Sequence, residues 1–156
     1  MARLSLIVLM GVVAVASASQ PWLGSWTTTD KAPENWDQVV TALSLPAAYG
    51  GNPKSTLSIT REGETYTNKL EVPSNNFSST YSFKIGEEGT KVEPKFENTE
   101  IKYTFTEEGE KLLVTVKIPA RGKEVTEVYE VTGDELVKTY KIDGIVAKRY
   151  LKRQAV

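Results

Sequence analysis

Side-chain catalysis needs a tuned acid, base, nucleophile or metal ligand, and these 156 residues contain neither histidine nor cysteine. The commonest general base, the thiol nucleophiles and most zinc ligand sets are therefore missing from the outset. Carboxylate pairs remain at Glu87-Glu88 and Glu107-Glu108, the residue types that general acid–base chemistry uses. Each pair directly precedes a glycine, Gly89 or Gly109, so both read as solvated turn charges. No glycine-rich phosphate loop joins a strand to a helix. The expectation is a protein with no catalytic centre, no metal and no cofactor.

Three other groups invite chemistry. Lys148, Arg149, Lys152 and Arg153 concentrate positive charge near the C-terminus. The chain as a whole carries 19 basic and 20 acidic residues, a net charge of −1, which gives no bulk attraction to nucleic acid. The cluster reads mainly as a solvated strand face and tail. Asn76-Phe77-Ser78 fits the N-x-Ser acceptor pattern of N-linked glycosylation and follows Pro73, where an exposed turn is expected, so Asn76 is a candidate modification site. Trp22, Trp26 and Trp36 are read as core packing.

Before these groups lies an N-terminal stretch with the build of a signal peptide. Arg3 supplies the charge, Leu4 to Val15 the apolar run, and Ala16-Ser17-Ala18 the small-residue cleavage site. The run is about a dozen residues, short of the ~20 that cross a bilayer core, so a stable membrane anchor is not expected. Residues 1–18 are assigned to the signal peptide and residues 19–156 to one domain, expected to be secreted and monomeric. With no cysteine, that domain must rest on packing and backbone pairing alone.

The elements that would position these side chains are mostly strands. Trp22-Leu23-Gly24-Ser25-Trp26 alternates large and small residues, as a half-buried strand does. Trp36, Val39, Val40 and Leu43 then fall at helical spacing, so a helix is expected over Glu34 to Leu43, with a second short one at Pro46 to Tyr49. From Leu57 onward turn signals recur at Glu62-Gly63, Pro73 to Asn76, Glu87-Glu88-Gly89, Glu108-Gly109, Arg121-Gly122, Gly133-Asp134 and Asp143-Gly144. The segments between them are rich in β-formers, which describes an antiparallel meander of about nine further strands. Closing the sheet removes its exposed edges, and a barrel of about ten strands is too wide for side chains to fill. The fold class is mainly β: a ten-stranded up-and-down antiparallel barrel with a two-helix lid and an internal cavity.

Several motifs occur in the order found in the fatty-acid-binding barrel family: Trp22-Leu23-Gly24-Ser25-Trp26, Glu34-Asn35-Trp36-Asp37 and Gly144-Ile145-Val146-Ala147-Lys148-Arg149. A closer resemblance is to the secretory-abundant heat-soluble proteins of tardigrades, secreted relatives of that barrel. It is carried by Asn98-Thr99-Glu100-Ile101-Lys102-Tyr103, Gly133-Asp134-Glu135-Leu136, Lys138-Thr139-Tyr140-Lys141 and Tyr49-Gly50-Gly51-Asn52, and covers nearly all of the chain. The resemblance implies an exported molecular shield in water-deficient conditions, with client proteins or membranes as partners during drying. The alternative is an extracellular carrier of fatty acids or similar hydrophobic ligands.

In the fatty-acid-binding family an Arg, followed two residues later by Tyr, holds the ligand carboxylate. Here the matching positions read Arg149-Tyr150-Leu151. Arg149 keeps the cation, Leu151 replaces the phenol, and Tyr150 lies on the opposite strand face. The family's second interior cation falls at Tyr129. The same register turns Glu127, Tyr129, Lys138 and Tyr140 inward with Arg149, so the candidate ligand-binding set is Arg149, Tyr129, Tyr140, Lys138 and Leu151. Glu127 is expected to help neutralise Lys138 and Arg149.

Overall fold

β-Branched and aromatic residues alternate with polar ones through most of the chain, a pattern suited to half-buried strands. The computed structural model, which describes residues 19–154, folds that pattern into ten antiparallel strands. They are β1 (Gly24–Thr28), β2 (Thr56–Glu62), β3 (Thr65–Val72), β4 (Phe77–Phe83), β5 (Glu88–Glu93), β6 (Thr99–Glu108), β7 (Lys111–Ile118), β8 (Lys123–Thr132), β9 (Glu135–Ile142) and β10 (Ile145–Arg153). The signal-peptide assignment over 1–18 lies outside the described residues.

Hydrogen bonding runs in the order β4-β3-β2-β1-β10-β9-β8-β7-β6-β5, so the sheet rolls up until its two edges, β4 and β5, face each other. No backbone ladder joins those edges. Side chains span the seam instead: Lys91 Nζ donates to the Thr80 carbonyl at 2.9 Å, and Tyr103 Oη donates to the Ser82 carbonyl at 2.8 Å. Tyr103 reaches β4 by crossing Gly89, where a Cβ would stand 2.7 Å from the phenol ring. Glycine is required there for clearance. The turn expected at Glu87 to Gly89 therefore lies slightly earlier, around Gly86 at φ 84°, and Gly89 belongs to β5.

The lid is smaller than its sequence pattern. One helix, α1 (Trp36–Ala42), replaces the longer one expected from Glu34. Glu34 exchanges backbone N–H···O bonds with Lys148, both at 2.9 Å, which holds the chain extended; Asn35 then turns through φ 54° into the helix. The expected second helix is a single 3-10 turn, Ala47–Tyr49, after Pro46. The first strand also starts later than its pattern, at Gly24, with Trp22 in the preceding turn.

Three turns at the lid end share one design. Pro73, Pro94 and Pro119 each open a 3-10 turn that ends in a left-handed residue, Asn76, Glu97 or Gly122. Proline has its φ preset for such a start and lacks the N–H that would go unpaired. Two of these turns hold the lid. Arg121 donates to the Leu43 carbonyl at the end of α1 and to Glu97 at 2.9 Å, and Asn75 Nδ2 donates to the Ala48 carbonyl at 2.7 Å. The helix has no basic residue of its own in its last turn, so Arg121 supplies that favourable charge from the barrel rim.

The opposite end carries the apolar plug. Trp22, Trp26, Leu57, Ile59 and Leu112 are buried, and Tyr66, Phe83 and Phe105 stack with centroids 5.1 and 3.7 Å apart and planes within 9°. Val39, Phe96, Ile101 and Ile118 are buried at the lid end as well, and space remains between the two packed layers.

Candidate functional site

Because side chains alternate faces, the register fixes which residues look inward. Tyr129 on β8 stands opposite Lys138 on β9, which stands opposite Arg149 on β10. One step along, Glu127 stands opposite Tyr140. All five line a cavity of about 130 Å³. At about 10–15 Å³ of such space per water molecule, it has room for on the order of ten. Leu57, Val114, Val116, Phe105 and Leu151 form apolar wall around this polar group.

Lys138 is only 7% exposed, and its Nζ lies 3.6 Å from Glu127 and 4.9 and 5.2 Å from the ring centroids of Tyr129 and Tyr140. Burial disfavours the ammonium, but the phenolic oxygens and the Glu127 carboxylate more than offset it and hold its pKa above the ordinary lysine value. Burial pushes the Tyr129 phenol up, so it stays protonated, and its oxygen accepts from Asn68 Nδ2 at 3.2 Å. Arg149 is treated differently. Its guanidinium lies 4.7 Å from the Trp36 ring centroid and donates to Asn52 Oδ1 at 3.3 Å, while burial lowers its pKa. Among the described residues it has no carboxylate within ion-pairing distance.

Two cations thus face one carboxylate across the cavity wall. A partly buried cation without a counterion favours an anion, and guanidinium geometry suits a carboxylate. Leu151 adds only apolar surface where a phenol would have supplied a second donor. Tyr150 points outward, as strand alternation requires: it donates to the Glu34 carboxylate, Lys31 Nζ sits 4.0 Å over its ring, and its pKa is pushed up to about 12, chiefly by that hydrogen bond.

Among the described residues no group of acidic side chains is arranged to hold a metal ion. Asn76 stands exposed at φ 52° in the turn before β4, and Ser78 is exposed too, while Phe77 packs edge-on against Tyr49 at 5.2 Å.

This constellation sits in a barrel shared with known proteins. Secretory-abundant heat soluble protein 1 of Ramazzottius varieornatus is 43% identical over 135 aligned positions, covering 86% of this chain and 78% of that protein. The chain belongs to the secretory-abundant heat-soluble family of tardigrades. A crystal structure of a family member from Ramazzottius varieornatus superposes with a TM-score of 0.82 at 42% identity, covering 87% of this chain and 97% of that one. Rat intestinal fatty acid-binding protein is 30% identical over 135 positions, covering 84% of this chain and 97% of that protein. The heat-soluble family and the fatty-acid-binding barrels therefore share this fold. No protein-family model matches the chain.

The register brought together all five inward residues expected from the sequence. It did not reveal Trp36, whose indole lines the cavity as well as packing 4.9 Å from Tyr140, because a helical apolar stripe does not distinguish core from cavity wall. A second polar group was also missed. Glu93 is fully buried beside the β4–β5 seam, 3.2 Å from Lys91 Nζ and 3.6 Å from Lys95 Nζ, and it accepts from Ser79 Oγ at 3.1 Å. The available signal was alternation: Gly89, Lys91 and Glu93 occupy the inward positions of β5, where apolar residues are usually sought.

Proposed function

We propose that this protein is an exported, heat-soluble shield for membranes or other proteins when water is scarce. The observation that carries this reading is the exterior. Among the described residues only Val92 and Val146 are large apolar side chains in exposed positions, at 56% and 45%. Aggregation on heating or crowding needs exposed apolar surface, unpaired strand edges or thiols that scramble. This barrel has few of the first, bridges the second with Lys91 and Tyr103, and has no cysteine. The names of its relatives and the signal-peptide pattern of residues 1–18 support export. A labile enzyme dried with the mature protein should keep more activity than with an equal mass of serum albumin. Equal survival would remove the protective role. Export also exposes Asn76 to glycosylation, expected as a mass loss on treating the secreted protein with an N-glycosidase; an unchanged mass would show the site empty.

A second reading rests on a different observation, the excess of interior cations over carboxylate at Lys138, Arg149 and Glu127. It is an extracellular carrier of an amphipathic carboxylate such as a fatty acid. Titration with a fluorescent fatty acid should give displaceable binding that weakens about tenfold or more in Arg149→Ala, in line with losing a charge-assisted pair. Binding that is absent, or unchanged in the variant, rules out an Arg149-anchored carrier.

A further inference from the structure

The outer surface of the barrel is chemically uneven. On β1 to β4 most of the outward residues line up across strands in three rows. The first is Thr60, Thr67 and Ser82. The second is Ser25, Ser58, Lys69 and Thr80. The third is Thr27, Thr56, Glu71 and Ser78. Nine of these eleven positions are hydroxyls, and the remaining two, Lys69 and Glu71, lie 3.8 Å apart as an ion pair. These three rows therefore carry no net charge and no apolar residue; beyond them Glu62, opposite Thr65, adds one exposed carboxylate. All eleven residues of the rows are partly or fully exposed, and of the eleven Thr27 alone uses its hydroxyl internally, donating to the Ser55 carbonyl at 3.3 Å.

The far side of the barrel differs. There Thr104, Thr115 and Thr126 also form a cross-strand row, but the flanking row is Lys102, Lys117 and Glu124, and Lys141 continues the threonine row. Threonines on that side are interspersed with charged and apolar residues: Thr90 stands opposite Lys102 and Thr106 opposite Leu113.

We propose that the hydroxyl face of β1–β4 is a binding surface for neutral polyhydroxy compounds, sugars and polyols, that becomes occupied as water is withdrawn. The proposal deepens the protective reading and rests on it for the drying condition. Each hydroxyl both donates and accepts, as a sugar hydroxyl does, so the two surfaces match without ions. In dilute solution exchanging water for a sugar hydroxyl gains almost nothing, because the bonds are equivalent. Once water leaves, the face presents a field of donors and acceptors that a polyhydroxy partner satisfies at similar density without bringing a charge. Strands about 4.8 Å apart and same-face residues about 6.7 Å apart along each strand let one disaccharide span several hydroxyls. A phosphate-rich surface would call for a field of unpaired cations, whereas Lys69 is paired with Glu71 and Lys152, opposite Thr27, stands only at the border of the face.

The test uses the mature protein dried with uniformly 13C-labelled sucrose and examined by magic-angle-spinning NMR. Sugar-to-side-chain cross-peaks should be at least threefold stronger at Thr56, Thr60, Thr67 and Thr80 than at Thr104, Thr115 and Thr126. Sugar cross-peaks at the hydroxyls that remain on this face, Ser25, Ser58 and Ser82, should weaken at least threefold in Thr56→Val/Thr60→Val/Thr67→Val/Thr80→Val, which keeps the shape and the strand preference of each residue. Equal intensities on the two sides, or none at either, would overturn the proposal; should the variant not fold, the wild-type map alone decides. The map is read whether or not a dried enzyme survives, so loss of the protective role and loss of this site are separate outcomes.

Discussion

At the scale of residues, the interior is organised around Lys138. Glu127→Gln would leave the ammonium buried with only phenolic neighbours, and it is expected to destabilise the fold by about 3 kcal/mol. That is the lower end for breaking a buried pair, since the cavity admits water. Urea unfolding of the single variant and of Glu127→Gln/Lys138→Met checks this: the double variant should regain part of the loss. The pH dependence follows from the same groups. Lys138 is held above its ordinary 10.5, so its contribution is complete below that value and is lost as pH rises through the higher folded value. The Tyr129 phenol is also held up, so above about pH 10 the unfolded chain releases a proton that the fold retains, which again lowers stability. With no histidine, the unfolding midpoint should be flat from about pH 6 to 9 and fall above about pH 10, less steeply in Tyr129→Phe. The inward set of Glu127, Tyr129, Lys138, Tyr140 and Arg149 was legible because strand alternation is a strict period of two. Trp36 was not, because an α-helical stripe faces whatever lies beneath it, wall or void.

At the scale of elements, the β4–β5 seam is the distinctive joint. Tyr103→Phe keeps the ring and removes the donor to the Ser82 carbonyl, for an expected loss of about 1 kcal/mol. Gly89→Ala places a Cβ against that ring and is expected to cost about 1–3 kcal/mol as overpacking. Amide hydrogen exchange should locate both effects in β4 and β5, with the β6–β9 ladders unchanged; uniform loss of protection would show that the seam is not a separate unit. The seam explains why Gly89 reads as a turn residue although it lies within β5. The inward positions of β5 are Gly89, Lys91 and Glu93: Lys91 donates to the Thr80 carbonyl of β4 and pairs with Glu93, which accepts from Ser79, so the usual apolar alternation is replaced by polar side chains. The lid shows the opposite error. Its pattern promised two helices, but backbone pairing of Glu34 with Lys148 outcompeted the first turn, and Pro46 opened only a 3-10 turn.

At the scale of the whole molecule, the ten-strand meander and its closure were legible from turn spacing and from the need to remove sheet edges. The unequal outer surface was not, since it emerges only when register aligns Ser and Thr from four strands. A folded barrel with a hydrated exterior is the entity proposed to protect its neighbours, so the fold must persist when water is gone. Circular dichroism of a dried film of the mature protein, recorded beside the solution spectrum and with a co-dried enzyme still active in the same film, tests this most directly. The prediction is an unchanged β-sheet spectrum in the dry state. A film that protects the enzyme while its β signal gives way to helix or disorder would contradict it.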